Sequence, residues 1–236
     1  MSSQGATPRA NTALRYAWLA GIAYVIALVA ESVVGAAGVK LSQNDSTVKI
    51  ASRLHDHRNL LLVIAYLSVV VAVSFLIYLW GLYHVLRQDS QRRETISSLV
   101  LVGGVLFITL HSVSDIGITG LVGAKLATYG VQHDPGLSYT LYLLTYAIDS
   151  VGDVFGSVAL FAIGLLTIRS GVLPRWLGWL AIVAGCLLLL QGFGLGGVIA
   201  TFGLVLDLIG FVLFLIFVLA SSIVLLRRGE TGAVPT

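Results

Sequence analysis

The stretch LYLLTYAIDSVGDVFGSVALFAIGLLTI, residues 141–168, is long and apolar enough to cross a bilayer, yet it carries Asp149 and Asp153 near its middle. A membrane span needs about 20 mostly apolar residues at 1.5 Å of rise each, so this run reads as a transmembrane helix. Its two carboxylates stand where a charge is most costly. The chain around it decides whether it is one span among several and what the acids face.

Over the whole chain 57% of residues are hydrophobic, 11% are charged, and the mean hydropathy is +0.95. An ordinary water-soluble domain is about one quarter charged. The composition therefore specifies an all-α polytopic membrane protein, and six segments qualify as spans: 14–38, 60–86, 96–124, 137–168, 176–190 and 198–226. The fifth is the shortest. The chain reads as one integral membrane domain over residues 1–236, with short tails at 1–13 and 227–236 and a longer loop at 39–59.

The net charge of +3 comes from the flanks of these spans, which makes it a signal of topology and excludes a nucleic-acid partner. With the N-terminus cytoplasmic, nine cations fall inside (Arg9, Arg15, Arg87, Arg92, Arg93, Arg169, Arg175, Arg227 and Arg228) and five outside (Lys40, Lys49, Arg53, Arg58 and Lys125). Both termini are therefore expected in the cytoplasm of a multi-pass protein of the cell membrane. Arg9 and Arg15 followed by an apolar run ending in GAAG, residues 35–38, resemble a signal peptide, but the run is long and holds Glu31, so it is retained as the first span. The lone Cys186 excludes a disulfide framework and a cysteine metal cage, and in its apolar run it reads as inert packing.

In the loop, Val48, Ile50, Ala51 and Leu54 recur at helical spacing among polar residues, which predicts an amphipathic helix lying among the headgroups. His55 and His57 would point about 200° apart on that helix, so they are read as interfacial side chains without a shared ligand. GFGLGG, residues 192–197, follows an apolar helix and lacks the Lys and Ser or Thr of a phosphate loop; it reads as a turn.

At about 100° per residue, Tyr142, Thr145, Gly152, Asp153, Gly156 and Leu160 fall on the same side as Asp149, and Leu143, Ala147, Val151, Val154 and Val158 fall opposite. The acids thus face protein, and Gly152 with Gly156 forms a small-xxx-small notch for a neighbouring helix. The first span places Ala20, Tyr24, Ala27, Gly35 and Gly38 with Glu31; the third places Gly104, His111, Ser114 and Ile118 with Asp115; the sixth places Ala200, Gly203, Phe211 and Phe214 with Asp207. Glu31, Asp115, Asp149 and Asp207 lie roughly 12 to 18 Å below the outer ends of their spans, with His111 and Asp153 one turn deeper. The expectation is a single polar pocket of Glu31, His111, Asp115, Asp149, Asp153 and Asp207. The competing reading is that some of these acids only hydrogen-bond between helices.

No Lys or Arg stands at that depth, so the acids must carry protons, hold a cation, or be wet. The i, i+4 pairs His111/Asp115 and Asp149/Asp153 bring side chains to one face about 6 Å apart, a candidate set for a divalent metal such as zinc or manganese and equally a candidate proton relay. An inverted three-plus-three transporter repeat would place the acids of the second half near the inner face, and they count as outer or central.

The sequence RSGVLPRWLG, residues 169–178, together with FLIYLWGLYHVLRQDS, residues 75–90, resembles a family of bacterial six-helix membrane proteins catalogued as a domain of unknown function. The resemblance implies six spans and no stated activity. Members show a His-Asp pair on the fourth span where this chain has Ile148 and Asp149. In the hairpin itself, Pro174 starts the fifth helix, Arg169 and Arg175 hold the turn inside, and Trp176 and Trp179 anchor the interface.

Three functions fit these residues. The acidic pocket binds or translocates a small cationic or protonatable ligand or ion; or a membrane-embedded metal-dependent enzyme acts on a lipid or isoprenoid; or the protein is a structural or partner-binding membrane component whose acids specify packing. The first is favoured.

Overall fold

The computed structural model describes residues 8–38, 45–87, 94–193 and 200–231, which contain helices and no strand. In chain order these are α1 (Pro8–Gly38), α2 (Thr47–Asp56), α3 (Arg58–Arg87), α4 (Glu94–Ser112), a π-helical segment (Val113–Gly123), α5 (Ala124–Gln132), α6 (Pro135–Ser170), α7 (Arg175–Phe193) and α8 (Ala200–Thr231).

Among the described residues, five stretches are long and apolar enough to cross a membrane: Thr12–Ala36, Arg58–Arg87, Thr95–Leu126, Pro135–Ser170 and Leu208–Arg228. The protein is therefore membrane-embedded. The expected fifth span corresponds to α7, whose apolar part, Arg175–Gln191, is shorter than the other five. It packs between α6 and α8.

Local chemistry sets the limits of α6. The Asp134 carboxylate accepts from the N–H groups of Gly136 (3.0 Å) and Leu137 (3.3 Å), and Pro135 occupies the first turn, where its missing N–H costs nothing. The helix stops at Gly171, which takes the left-handed conformation (φ 70°) that residues with a Cβ avoid. The Arg228 guanidinium donates to the Val172 carbonyl and ties this turn to the end of α8. At 36 residues, α6 is roughly 54 Å long, well over a bilayer's hydrocarbon thickness.

Lipid removes most of the hydrophobic drive between helices, so packing relies on close approach and dispersion. At the end of the bundle that carries the described start of α1 and end of α8, the core is dense, with Tyr78, Leu82, Leu166, Leu177 and Phe217 almost fully buried. The buried Tyr78 hydroxyl is satisfied by Ser221 Oγ at 2.7 Å. The opposite end is looser and is covered by α2.

The amphipathic helix expected in the loop is α2, but its apolar face meets protein. Ile50, Ala51 and Leu54 are buried, with Ile50 and Leu54 in a cluster with Leu61 flanked by Ala124, Tyr139 and Tyr142, and Val48 alone of the four points outward. His55 Nδ1 is paired with Thr128 Oγ1 at 3.3 Å and His57 Nδ1 with the Arg53 carbonyl at 2.9 Å, so the two rings serve different partners.

Two further expectations change. Cys186 is exposed on α7 and packs in no core. The third span is not a uniform α-helix, because the Val113–Gly123 segment bonds i to i+5 and so has a wider turn. Lys40, the GFGLGG residues beyond Phe193, and Arg92 and Arg93 lie outside the described residues.

Candidate functional site

Most of the sequence-predicted polar residues meet in one cavity of about 280 Å³. Glu31 reaches it from α1, His111 from α4, Asp115 from the π-helical segment, and Asp149 and Asp153 from α6. Asp207 lies on α8 among residues whose side chains are outside those described. Among the described residues, no Lys or Arg lines this cavity.

Each carboxylate has a different environment. Glu31 is nearly buried and accepts from the Ser68 hydroxyl, which also donates to the Ile64 carbonyl at 3.0 Å. Asp153, only 4% exposed, is the most enclosed of the four, and its Oδ1 lies 3.5 Å from His111 Nε2. Asp149 Oδ1 is a buried oxygen with no hydrogen-bond partner, and the same holds for Gln191 Oε1 on the same cavity wall. Buried polar atoms are normally paired, so two orphaned acceptors facing one cavity leave room for a donor or a cation.

The notch on α6 explains how His111 gets there. A Cβ at Gly152 would lie 2.7 Å from His111 Nδ1, and one at Gly156 would lie 2.6 Å from Phe107 Cδ2. The two glycines therefore accept the two rings of α4, one turn apart, as their spacing predicts. His111 Nδ1 sits 3.0 Å from the Phe107 carbonyl. A carbonyl can only accept, so Nδ1 carries the proton and Nε2 is left as the nitrogen that gains or gives up a proton toward Asp153.

Aromatic rings close the cavity on the side of the dense core. Phe107, Phe214 and Tyr24 line it, with Phe107 and Phe214 edge to face at 5.7 Å and Tyr24 and Phe214 at 6.1 Å, and Phe75 packs behind them 5.1 Å from Tyr24. Beneath them lies a void of about 20 Å³.

Ile118 leaves the face it was expected to share with Asp115 and lines a separate cavity instead. The wider turn of the π-helical segment rotates a residue three positions on away from Asp115. Sequence reasoning missed Ser68 and Gln191. Ser68 stands in the series Leu61, Ala65, Ser68, Val71, Phe75, the buried face of α3, and that spacing was its available signal. Gln191 lies at the end of a short apolar helix and gave none.

Among the described residues, no three His, Cys, Asp or Glu side chains group closely enough to hold a metal ion.

The chain matches the family described as Domain of unknown function (DUF4386) over residues 19–226. It belongs to that family. The match takes in every described residue of the cavity, from Tyr24 to Phe214. No curated protein and no solved structure matches it.

Proposed function

We propose that this protein binds or translocates a small cationic or protonatable ligand or ion through the acidic cavity. The observation that carries the reading is the charge imbalance: four carboxylates and one histidine surround about 280 Å³ with no Lys or Arg among the described lining residues to neutralise them. Aromatic faces next to carboxylates suit an ammonium, through the attraction of a cation for a π-system.

A cation entering this cavity competes with protons on Glu31, His111, Asp115 and Asp149. Binding should therefore release protons, and affinity should fall as pH falls. The test is calorimetric titration of tetramethylammonium into the protein in lipid nanodiscs, in buffers of different ionisation enthalpy. Asp149→Asn keeps the side chain's shape and removes one charge, and should weaken binding about tenfold, within the range for losing a charged partner. Equal affinity in wild type and Asp149→Asn, or binding without proton release, would refute the reading.

The six-span topology in the cell membrane, with both termini cytoplasmic and α2 outside, belongs to the same proposal. In a Cys186→Ser background, Val48→Cys should react with an impermeant maleimide on intact cells, and Arg87→Cys only after permeabilisation. The reverse pattern would invert the protein.

A further inference from the structure

A second cavity of about 260 Å³ lies toward the α2 end of the bundle. It shares four elements with the acidic one, α1, α3, the π-helical segment and α6, and uses each of them one turn further along. Gly35 lines it where Glu31 lines the acidic cavity, and Ile64 where Ser68 does; Thr119 pairs in the same way with Asp115, and Thr145 with Asp149. In all four cases the shift is four residues toward α2, about one helical turn.

The chemistry of the two compartments is opposite. Among the described residues, no Asp, Glu, His, Lys or Arg lines the upper cavity, which is walled by Leu61, Ile64, Ile118, Leu126 and Leu141 and covered by Leu54 of α2. Of its few hydroxyls, that of Thr145 is already bonded to the Tyr142 carbonyl at 2.7 Å. The upper compartment suits apolar groups, and the lower one a positive charge over aromatic rings. Each is small, but together they reach the size of pockets that enclose a whole organic ligand, mostly apolar with a few placed polar groups.

We infer that the two cavities form one site for an amphipathic ammonium ion, with the cationic head among Glu31, Asp115, Asp149 and Asp153 and an apolar tail one turn higher beneath α2. This rests on the cation reading of the acidic cavity and adds to it the class of ligand. A bare inorganic cation would leave the upper cavity unused, and a neutral lipid tail would leave the carboxylates uncompensated.

The test uses full-length protein in phosphatidylcholine nanodiscs and the series tetramethyl-, butyltrimethyl-, hexyltrimethyl- and octyltrimethylammonium, with empty nanodiscs subtracted. Affinity should rise by about fourfold for each methylene buried. Gly35→Leu provides the decisive variant, since the nearest atom to a Cβ there is Ile64 Cδ1 at 4.0 Å and Gly35 lines the upper cavity, which the longer side chain is expected to fill. It should flatten the chain-length dependence and leave tetramethylammonium binding unchanged, whereas Asp149→Asn should lower the whole series by a similar factor. If tetramethylammonium binds and is lost with Asp149→Asn but the series is flat, the cation site stands and the two-part site is overturned. A chain-length gain that survives both variants would mean that the tails merely partition into lipid, which also overturns it. If no member of the series binds, the cation reading and this inference fail together.

Discussion

Asp153→Ala is expected to weaken tetramethylammonium binding about a hundredfold, close to 2.7 kcal/mol and a larger loss than that set for Asp149→Asn. Asp153 is the most enclosed carboxylate of the cavity and faces His111 Nε2 at 3.5 Å. Its removal deletes a charge that water cannot replace and frees the imidazole from its facing partner. Since His111 is held from the other side by the Phe107 carbonyl, its ring should stay in the Gly152 notch and report the loss through its own titration. Combining His111→Gln with Asp153→Asn tests the connection. A coupling energy of at least about 1 kcal/mol is expected for groups in contact. Additivity within about 0.3 kcal/mol would show that His111 and Asp153 act independently.

The largest structural effect is expected at the crossing of α6 and α7. A Cβ at Gly164 would stand 2.7 Å from the Gly178 carbonyl oxygen and 2.6 Å from Ile182 Cγ1, and a Cβ at Gly178 would meet the Gly164 carbonyl at 3.0 Å. Ile182 could turn aside, but the Gly178 and Gly164 carbonyls are backbone and cannot. Gly164→Leu should therefore force the helices apart and cost about 3 kcal/mol, the upper end of overpacking penalties, visible as a fall of about 10 °C in the midpoint of thermal unfolding. Gly35→Ala, with nothing closer than 4.0 Å, should be neutral or slightly stabilising. Equal behaviour of the two variants would mean that the α6–α7 contact does not hold the fold.

The helical wheel of α6 was legible because one unbroken α-helix keeps its phase for 36 residues. Asp149 and Asp153, the Gly152/Gly156 notch, and the exposed Leu143 and Val151 all follow from a period of 3.6. The third span was only half legible. His111 precedes the Val113–Gly123 segment and stands where the α period puts it, while Ile118 follows the change to i→i+5 bonding and does not. Nothing in VSDIGITGLVG announces that change.

Apolarity, charge count and periodicity are properties of each segment taken alone. They determined that the chain is helical and membrane-embedded, that Asp149 and Asp153 face protein, and that a notch for a neighbour exists on α6. Partners between segments are set by which helices touch, and that only the tertiary structure decided. It assigned the notch to the His111 and Phe107 rings of α4, gave Glu31 the Ser68 hydroxyl of α3, and turned the apolar face of α2 onto the bundle. It also set an apolar cavity one turn above the acidic one. The physical reason is that a helix fixes its own side-chain directions through local bonds, whereas the distance and rotation between helices depend on contacts far apart in the chain.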